Sequence, residues 1–254
     1  ISMSQEQAPN PQKKMERMVA VFIDTVNSDA RSSNIELEAR FGTRGVKPIT
    51  KIDYDNVVRR LISSGYQLSQ QEDVTLLRMS PEYLDTRTGQ SKISNLRVEL
   101  SGVETVQRYC RSNTLDELYE LPTCQFVIKK PIVYLDEILR PVDVDDWNFR
   151  LSMSDEQTKG KTGNVVQNTL KTWKDSKKIF RLITRNYLTH ASKDLFRIDL
   201  SVVRESNRRG RFLIPSYTFE SSGVTENSPK YEIEFEVLPT GVQRVLNDAS
   251  IVDK

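Results

Sequence analysis

The chain has 254 residues, enough for one large core, and 37% hydrophobic against 28% charged residues, which excludes a chain disordered throughout. Lys+Arg 37 against Asp+Glu 35 gives a net charge of +2, so no global basic field is available to grip a polyanion and any such site must be local. The longest apolar run, Met18 to Ile23, is far too short to span a bilayer, and two cysteines with one histidine exclude a disulfide framework and most thiol- or imidazole-based metal chemistry. The expectation is a soluble, intracellular protein with no membrane association.

In chain order, residues 1–12 are polar with two prolines and are expected to be disordered, Ile1 and Ser2 reading as a cloning remnant ahead of Met3. Residues 13–254 are expected to form a single domain. Met15, Met18, Val19, Phe22, Ile23 and Val26 recur at helical spacing and predict a helix over Lys13–Val26. A second is predicted from Lys51 to Ser64, capped by Thr50 and stopped by Gly65, and the capping box Thr114-Leu-Asp-Glu117 predicts a short third through Leu121. Two-residue alternation marks strands at Ile35–Phe41, Leu96–Leu100, Gln125–Lys130, Phe149–Ser154, Ile179–Leu188, Phe196–Val203 and Tyr231–Leu238. The fold class expected is α+β, mainly antiparallel β, with helices packed outside the sheet.

The polar face of these strands is almost wholly ionic. Glu36, Glu38 and Arg40 share one face of the first strand, and Glu232, Glu234 and Glu236 share one face of the last. Three like charges along a face repel, so a purely structural strand gains nothing from them. The same parity in other strands presents Arg97 with Glu99, Lys129, Arg150, Arg181, Arg185, and Arg197 with Asp199. If the sheet closes into a barrel, these charges line a lumen while the apolar partners pack outward. Carboxylates without imidazole or thiolate suit Mg²⁺ or Mn²⁺, and Arg and Lys neutralise phosphate. The competing reading is a set of amphipathic surface strands with solvated charges.

Ile35-Glu-Leu-Glu-Ala-Arg-Phe-Gly42 and Tyr231-Glu-Ile-Glu-Phe-Glu-Val237 resemble the two glutamate motifs of the triphosphate tunnel metalloenzymes, and more narrowly the metal-dependent RNA 5′-triphosphatases of fungi, protozoa and large DNA viruses. Phe196-Arg-Ile-Asp-Leu-Ser201 resembles a further tunnel strand, with Ser201 where Thr is expected; Leu96-Arg-Val-Glu-Leu-Ser-Gly and Gln107-Arg-Tyr-Cys110 look most like the branch found in giant-virus mRNA-capping enzymes. The resemblance implies an eight-stranded closed tunnel that removes the γ-phosphate of triphosphate-ended RNA, the first step of capping, with Mg²⁺ or Mn²⁺. It implies that Glu36, Glu38 and Glu236 are metal ligands, that Glu234, with Glu232, orients the attacking water, and that Arg197 and Asp199 form a basic and acidic pair in the catalytic strand. Arg181 and Arg185 resemble a phosphate clamp, with Ile183 between them where a basic residue is expected; Arg97, Lys129 and Arg150 are further phosphate contacts. It further implies a guanylyltransferase partner or domain beyond Lys254 and a host-cytoplasm or virion location; fixed charges with no aromatic-rich RNA-binding motif add the expectation that free nucleoside triphosphates are substrates too. Relatives in function within reach are a tripolyphosphatase or NTPase of the same family, and a non-catalytic polyphosphate- or RNA-binding barrel.

Other motifs carry less. Gly160-Lys161-Thr162 matches the end of a P-loop, but Asp155 stands where its first glycine belongs, so a polar loop is expected. Neither Cys110 nor Cys124 has an arginine six positions on, which excludes a cysteine phosphatase. His190 is expected in a solvated turn, and Asn207-Arg-Arg-Gly-Arg211 at a hairpin tip, where it could also touch RNA.

Overall fold

The computed structural model describes residues 10–28, 34–42, 48–69, 72–192 and 195–252, without the side chains of 249–252. Eight strands build the main sheet: β1 (Ile35–Phe41), β2 (Val74–Asp85), β3 (Leu96–Ser101), β4 (Cys124–Pro131), β5 (Phe149–Thr158), β6 (Lys178–Thr189), β7 (Phe196–Glu205) and β8 (Lys230–Val237). Their spatial order is β6-β7-β8-β1-β5-β4-β3-β2, and β2 pairs back onto β6 with Ile183 opposite Leu76. Every one of these pairings is antiparallel, and the closure leaves these eight strands no free edge.

Closure gives the alternation its meaning. Side chains of one parity point out, where helices cover them; the other parity points into the lumen. Helices α1 (Pro11–Ser28) and α5 (Pro239–Val252) cover β1 and β5, burying Met18, Phe22 and Val242 against Ile35, Leu37 and Met153. Helix α2 (Lys51–Ser63) packs Val57, Val58 and Leu61 on Leu188, Ile198, Leu200 and Ile233. Helices α3 (Val103–Ser112) and α4 (Asn164–Thr172) close the third core, in which Tyr109, Trp173 and Phe180 meet Leu77, Val98 and Phe126. A fully buried side chain of this kind contributes about 1.5–3 kcal/mol, so the apolar layer that holds the tunnel lies outside it.

Local chemistry sets the helix ends. Thr50 Oγ1 accepts the Asp53 backbone N–H at 3.1 Å and starts α2. Gly65, at φ 94°, ends it, and a Cβ there would meet His190 Nε2 at 2.9 Å.

The structure departs from the expected elements in several places. Thr114 does not open a helix: its Oγ1 takes the Asp116 N–H at 3.2 Å, and the segment folds as turns that bury Leu115 and Leu118. Before Pro122 there is room for little more than one nucleated turn, which cannot repay its own ordering. Strand β2 and helices α3, α4 and α5 were not anticipated, and β5 runs on to Thr158. Helix α1 begins at Pro11, inside the segment expected to be disordered; the first nine residues of that segment lie outside the described residues. No described helix is long and apolar enough to cross a membrane.

Candidate active site

The lumen has two unlike walls. On one, β8 lies between β1 and β7, with Glu38 opposite Glu236, Arg40 opposite Glu234, Glu236 opposite Arg197 and Glu234 opposite Asp199. Strands that begin and end the chain thus pool their carboxylates. On the other wall, β6, β2, β3 and β4 carry Arg181, Arg185, Arg78, Arg97 and Lys129, with Arg181 opposite Arg78.

Ion pairs run along each wall and between them. Lys129 Nζ reaches Glu36 at 3.0 Å and Glu38 at 3.5 Å, and Glu38 also accepts from Ser152 Oγ at 3.2 Å. Glu234 is gripped by Arg40 and by Arg185 at 3.4 Å; Arg185 also reaches Asp199 at 3.3 Å and donates to Ser201 Oγ at 2.8 Å. Arg197 bridges Asp199 and Glu236 and lies over the Tyr187 ring at 4.8 Å. Arg181 joins Glu232 at 2.8 Å and Glu205 at 3.2 Å. Arg97 is held by Glu99 and Glu156.

These surroundings split the carboxylates. Burial pushes Glu236 up to about 7, with Glu36, Asp199 and Glu38 adding to the rise and Arg197 opposing it. Burial also raises Glu36, against Lys129, and raises Asp199, against Arg197 and Arg185. Glu234 moves the other way: burial is outweighed by Arg40, Arg185, Arg78 and Lys129, and its carboxyl is held well below the ordinary range.

The oxygen-only donor set of Glu36, Glu38 and Glu236 fits a hard divalent cation, and burial, with neighbouring carboxylates adding to it, raises both Glu36 and Glu236. As placed, these side chains turn to Lys129 and Arg197, and no three His, Cys, Asp or Glu side chains among the described residues converge as a metal cluster. Holding an ion would require them to exchange those partners.

Of the remaining expected site residues, Arg150 shares the lumen parity of β5 opposite Arg40, but its guanidinium is taken by Asp143 at 2.6 and 2.7 Å on the short flanking strand Val142–Val144. Three lumen residues are not marked by the sequence pattern, Arg78, Glu156 and Glu205, and neither is the pairing of Arg40 with Glu234. Arg78 is the most telling. It meets Glu99 at 3.0 Å; burial first, and then the nearby Arg97, Arg185 and Arg181, lowers its pKa while Glu99 opposes. Its strand runs into Pro81, which masks the alternation that would have exposed it.

The rival motifs lie elsewhere. Lys161 Nζ donates to the Leu121 carbonyl at 2.8 Å in a loop, and His190 meets Tyr66 edge-on at 5.1 Å beside α2. Burial pushes both Cys110 and Cys124 up to about 11, which leaves no thiolate nucleophile at neutral pH.

No family model and no curated protein matches the chain. Among solved structures it is similar to the RNA triphosphatase domain of a trifunctional mimivirus mRNA capping enzyme, with TM-score 0.54, 16% identity and coverage of 95% of this chain and 96% of that one. Two further crystal forms of the mimivirus capping enzyme triphosphatase agree: the monoclinic one at TM-score 0.54, 15% identity and 93% and 96% coverage, and the triclinic one at 0.52, 15%, and 96% and 98%. At such identity the likeness is one of fold, and over nearly its whole length this chain has the closed eight-stranded barrel fold of the mimivirus capping-enzyme triphosphatase domain.

Proposed function

We propose that the lumen is the active site of a metal-dependent RNA 5′-triphosphatase, which releases the γ-phosphate of triphosphate-ended RNA as inorganic phosphate and leaves a diphosphate end. The observation that carries this reading is the opposition of a carboxylate wall to an arginine-rich wall inside a closed barrel of this fold. A triphosphate needs a cation from one side and guanidinium forks from the other.

In this reading Glu36, Glu38 and Glu236 hold Mg²⁺ or Mn²⁺, which when bound polarises the γ-phosphate and offsets its charge. Glu234, kept ionised by Arg40 and Arg185, accepts a hydrogen bond from the attacking water and orients it; its low pKa suits positioning rather than strong basicity. Glu232 holds Arg181 in place, and Asp199 does the same for Arg185 and Arg197. Arg181, Arg185, Lys129, Arg97 and Arg78 contact phosphate oxygens, and Arg150 is held aside by Asp143. The diphosphate product is the acceptor a guanylyltransferase requires, which makes such an enzyme the natural partner.

The lumen's recognition groups are charges and short side chains, so tripolyphosphate and free nucleoside triphosphates are expected substrates too. Phosphate release should be measured from triphosphate-ended RNA, tripolyphosphate and ATP, each with Mg²⁺ and Mn²⁺, for the wild type and Glu36→Gln. Metal-dependent release that the substitution abolishes, and that favours RNA, supports the proposal. Preference for tripolyphosphate or ATP would make the protein a tripolyphosphatase or NTPase; no release from any substrate would leave a binding barrel.

A further inference from the structure

At the end of β7 the chain turns into a small hairpin in which Arg208–Arg209 pairs with Phe212–Leu213. Gly210, at φ 59°, makes the turn, and the tip is exposed. Arg211 places its guanidinium over the Phe212 ring at 5.1 Å, and Phe212 is 66% exposed. Among the described residues no acidic side chain pairs with Arg209 or Arg211, unlike the arginines of the lumen, which are all matched to carboxylates. The root of the hairpin is tied to the lumen by one residue: Glu205 takes Arg181 at 3.2 Å from inside, and Arg208 and Lys230, both at 2.6 Å, from outside. Beside it lies a cavity of about 360 Å³ lined by Ser206, Asn207, Arg208, Asn227 and Lys230.

We propose that this hairpin is a docking arm for the single-stranded RNA that trails behind the 5′ end held in the lumen, with Phe212 and Arg211 stacking on a base and Arg209 and Arg211 meeting phosphates. The proposal deepens the triphosphatase reading and rests on it for the position of the 5′ end. A lone exposed phenylalanine or a lone basic turn needs no explanation. An aromatic ring already stacked with an arginine, flanked by unmatched cations, is the arrangement by which proteins hold single strands without reading sequence. Its location favours RNA over an acidic protein surface: Glu205 and Glu234 are six residues and one strand apart on the lumen wall, so along β7 the hairpin stands about 20 Å beyond the level of Asp199, within reach of the first few nucleotides. Stacking accepts any base, so the arm favours RNA over a free nucleotide without selecting sequence.

The test separates binding from hydrolysis. Anisotropy with a short, mixed-sequence, 5′-hydroxyl RNA reports the arm alone, since no triphosphate engages the lumen. Phe212→Ala is expected to weaken binding about tenfold. Arg209→Gln with Arg211→Gln is expected to flatten the dependence of log K on log salt by about 1.4, the share of two phosphate contacts on a single strand. In the hydrolysis assay the same variants should raise KM for triphosphate-ended RNA about tenfold and leave tripolyphosphate turnover unchanged. Absence of RNA binding by the wild type, or equal affinity in wild type and variants, overturns the proposal; so does an equal loss on tripolyphosphate, which would show the substitutions acting through the barrel. A protein that binds RNA through the hairpin but hydrolyses nothing would overturn the triphosphatase reading and keep the arm.

Discussion

Glu234 and Glu236 are two residues apart on one strand and face the same lumen, yet their carboxyls shift in opposite directions. Glu234 sits between two guanidinium groups; Glu236 has one, and three carboxylates bear on it. An added cation is therefore accommodated better beside Glu236 than beside Glu234. Glu236→Gln is expected to reduce metal-dependent phosphate release at least a hundredfold while the metal-free protein melts at the same temperature or higher, because a crowded carboxylate has gone; release near the wild-type rate would remove Glu236 from the site. A second residue gives a clean pH test outside the lumen. Lys178 is buried, with Nζ 5.0 Å from the Trp173 ring centre and 3.3 Å from the Tyr217 carbonyl, and burial lowers its pKa from 10.5 to about 8, with Asp175 opposing. Between about 8 and 10.5 the unfolded chain holds the proton that the folded one has released, so stability should rise with pH across that window. Lys178→Met should stabilise the fold by about 1–3 kcal/mol at pH 7 and by much less near pH 10. Urea unfolding at both pH values measures this, and a gain independent of pH would assign it to packing alone.

Single elements divide the work between holding the barrel and filling it. Helix α2 covers the outer face of β7 and β8, away from the lumen, so Thr50→Ala should cost about 1 kcal/mol of stability through the lost cap and leave kcat unchanged. Denaturant melts and turnover of the same preparation check both halves. Strand β6 acts on the inside. Arg185 serves Ser201, Asp199 and Glu234 at once with its planar fork, which an ammonium cannot reproduce. Arg185→Lys should reduce kcat/KM about tenfold or more, whereas Arg150→Lys, engaged with Asp143, should keep most of it; steady-state kinetics of the pair would refute the phosphate-wall assignment if the order were reversed. Legibility also varied by element. Strands β1 and β8, and the first half of β7, stood out because apolar and ionic residues alternate. Strand β2 did not, since Val74, Leu76 and Leu77 blur the alternation before Pro81 ends it, and Arg78 was lost with it. The capping box at Thr114 was a local signal with too little chain before Pro122 to propagate, and the turns that form instead bury Leu115 and Leu118.

The whole molecule is a tube closed by the β2–β6 pairing, with its main apolar layers outside and its charges inside beside Val127, Ile183 and Val203, which are buried at the lumen parity. Discriminating a base would need groups that hydrogen-bond its edge, and the lumen offers carboxylates, guanidinium groups and hydroxyls spent on one another. Turnover of ATP, GTP, CTP and UTP should therefore agree within a few-fold, since one missing contact is worth about tenfold. Strong selectivity among the four would reveal a base-reading site outside this set of residues.

By itself the sequence determined which residues share a face. A strand's side chains alternate with period two, so Glu36, Glu38 and Arg40, or Glu232, Glu234 and Glu236, fall together whatever surrounds them. Composition, with two cysteines and one histidine, likewise favoured oxygen and guanidinium chemistry over thiol or imidazole. Which carboxylate meets which cation was decided only by tertiary structure. Arg40 and Glu234 stand 194 residues apart in the chain and touch because β8 inserts between β1 and β7 in one register. Strand order and register are long-range properties, and the electric environment that keeps Glu234 ionised and leaves Glu236 short of charge arises only when they are set.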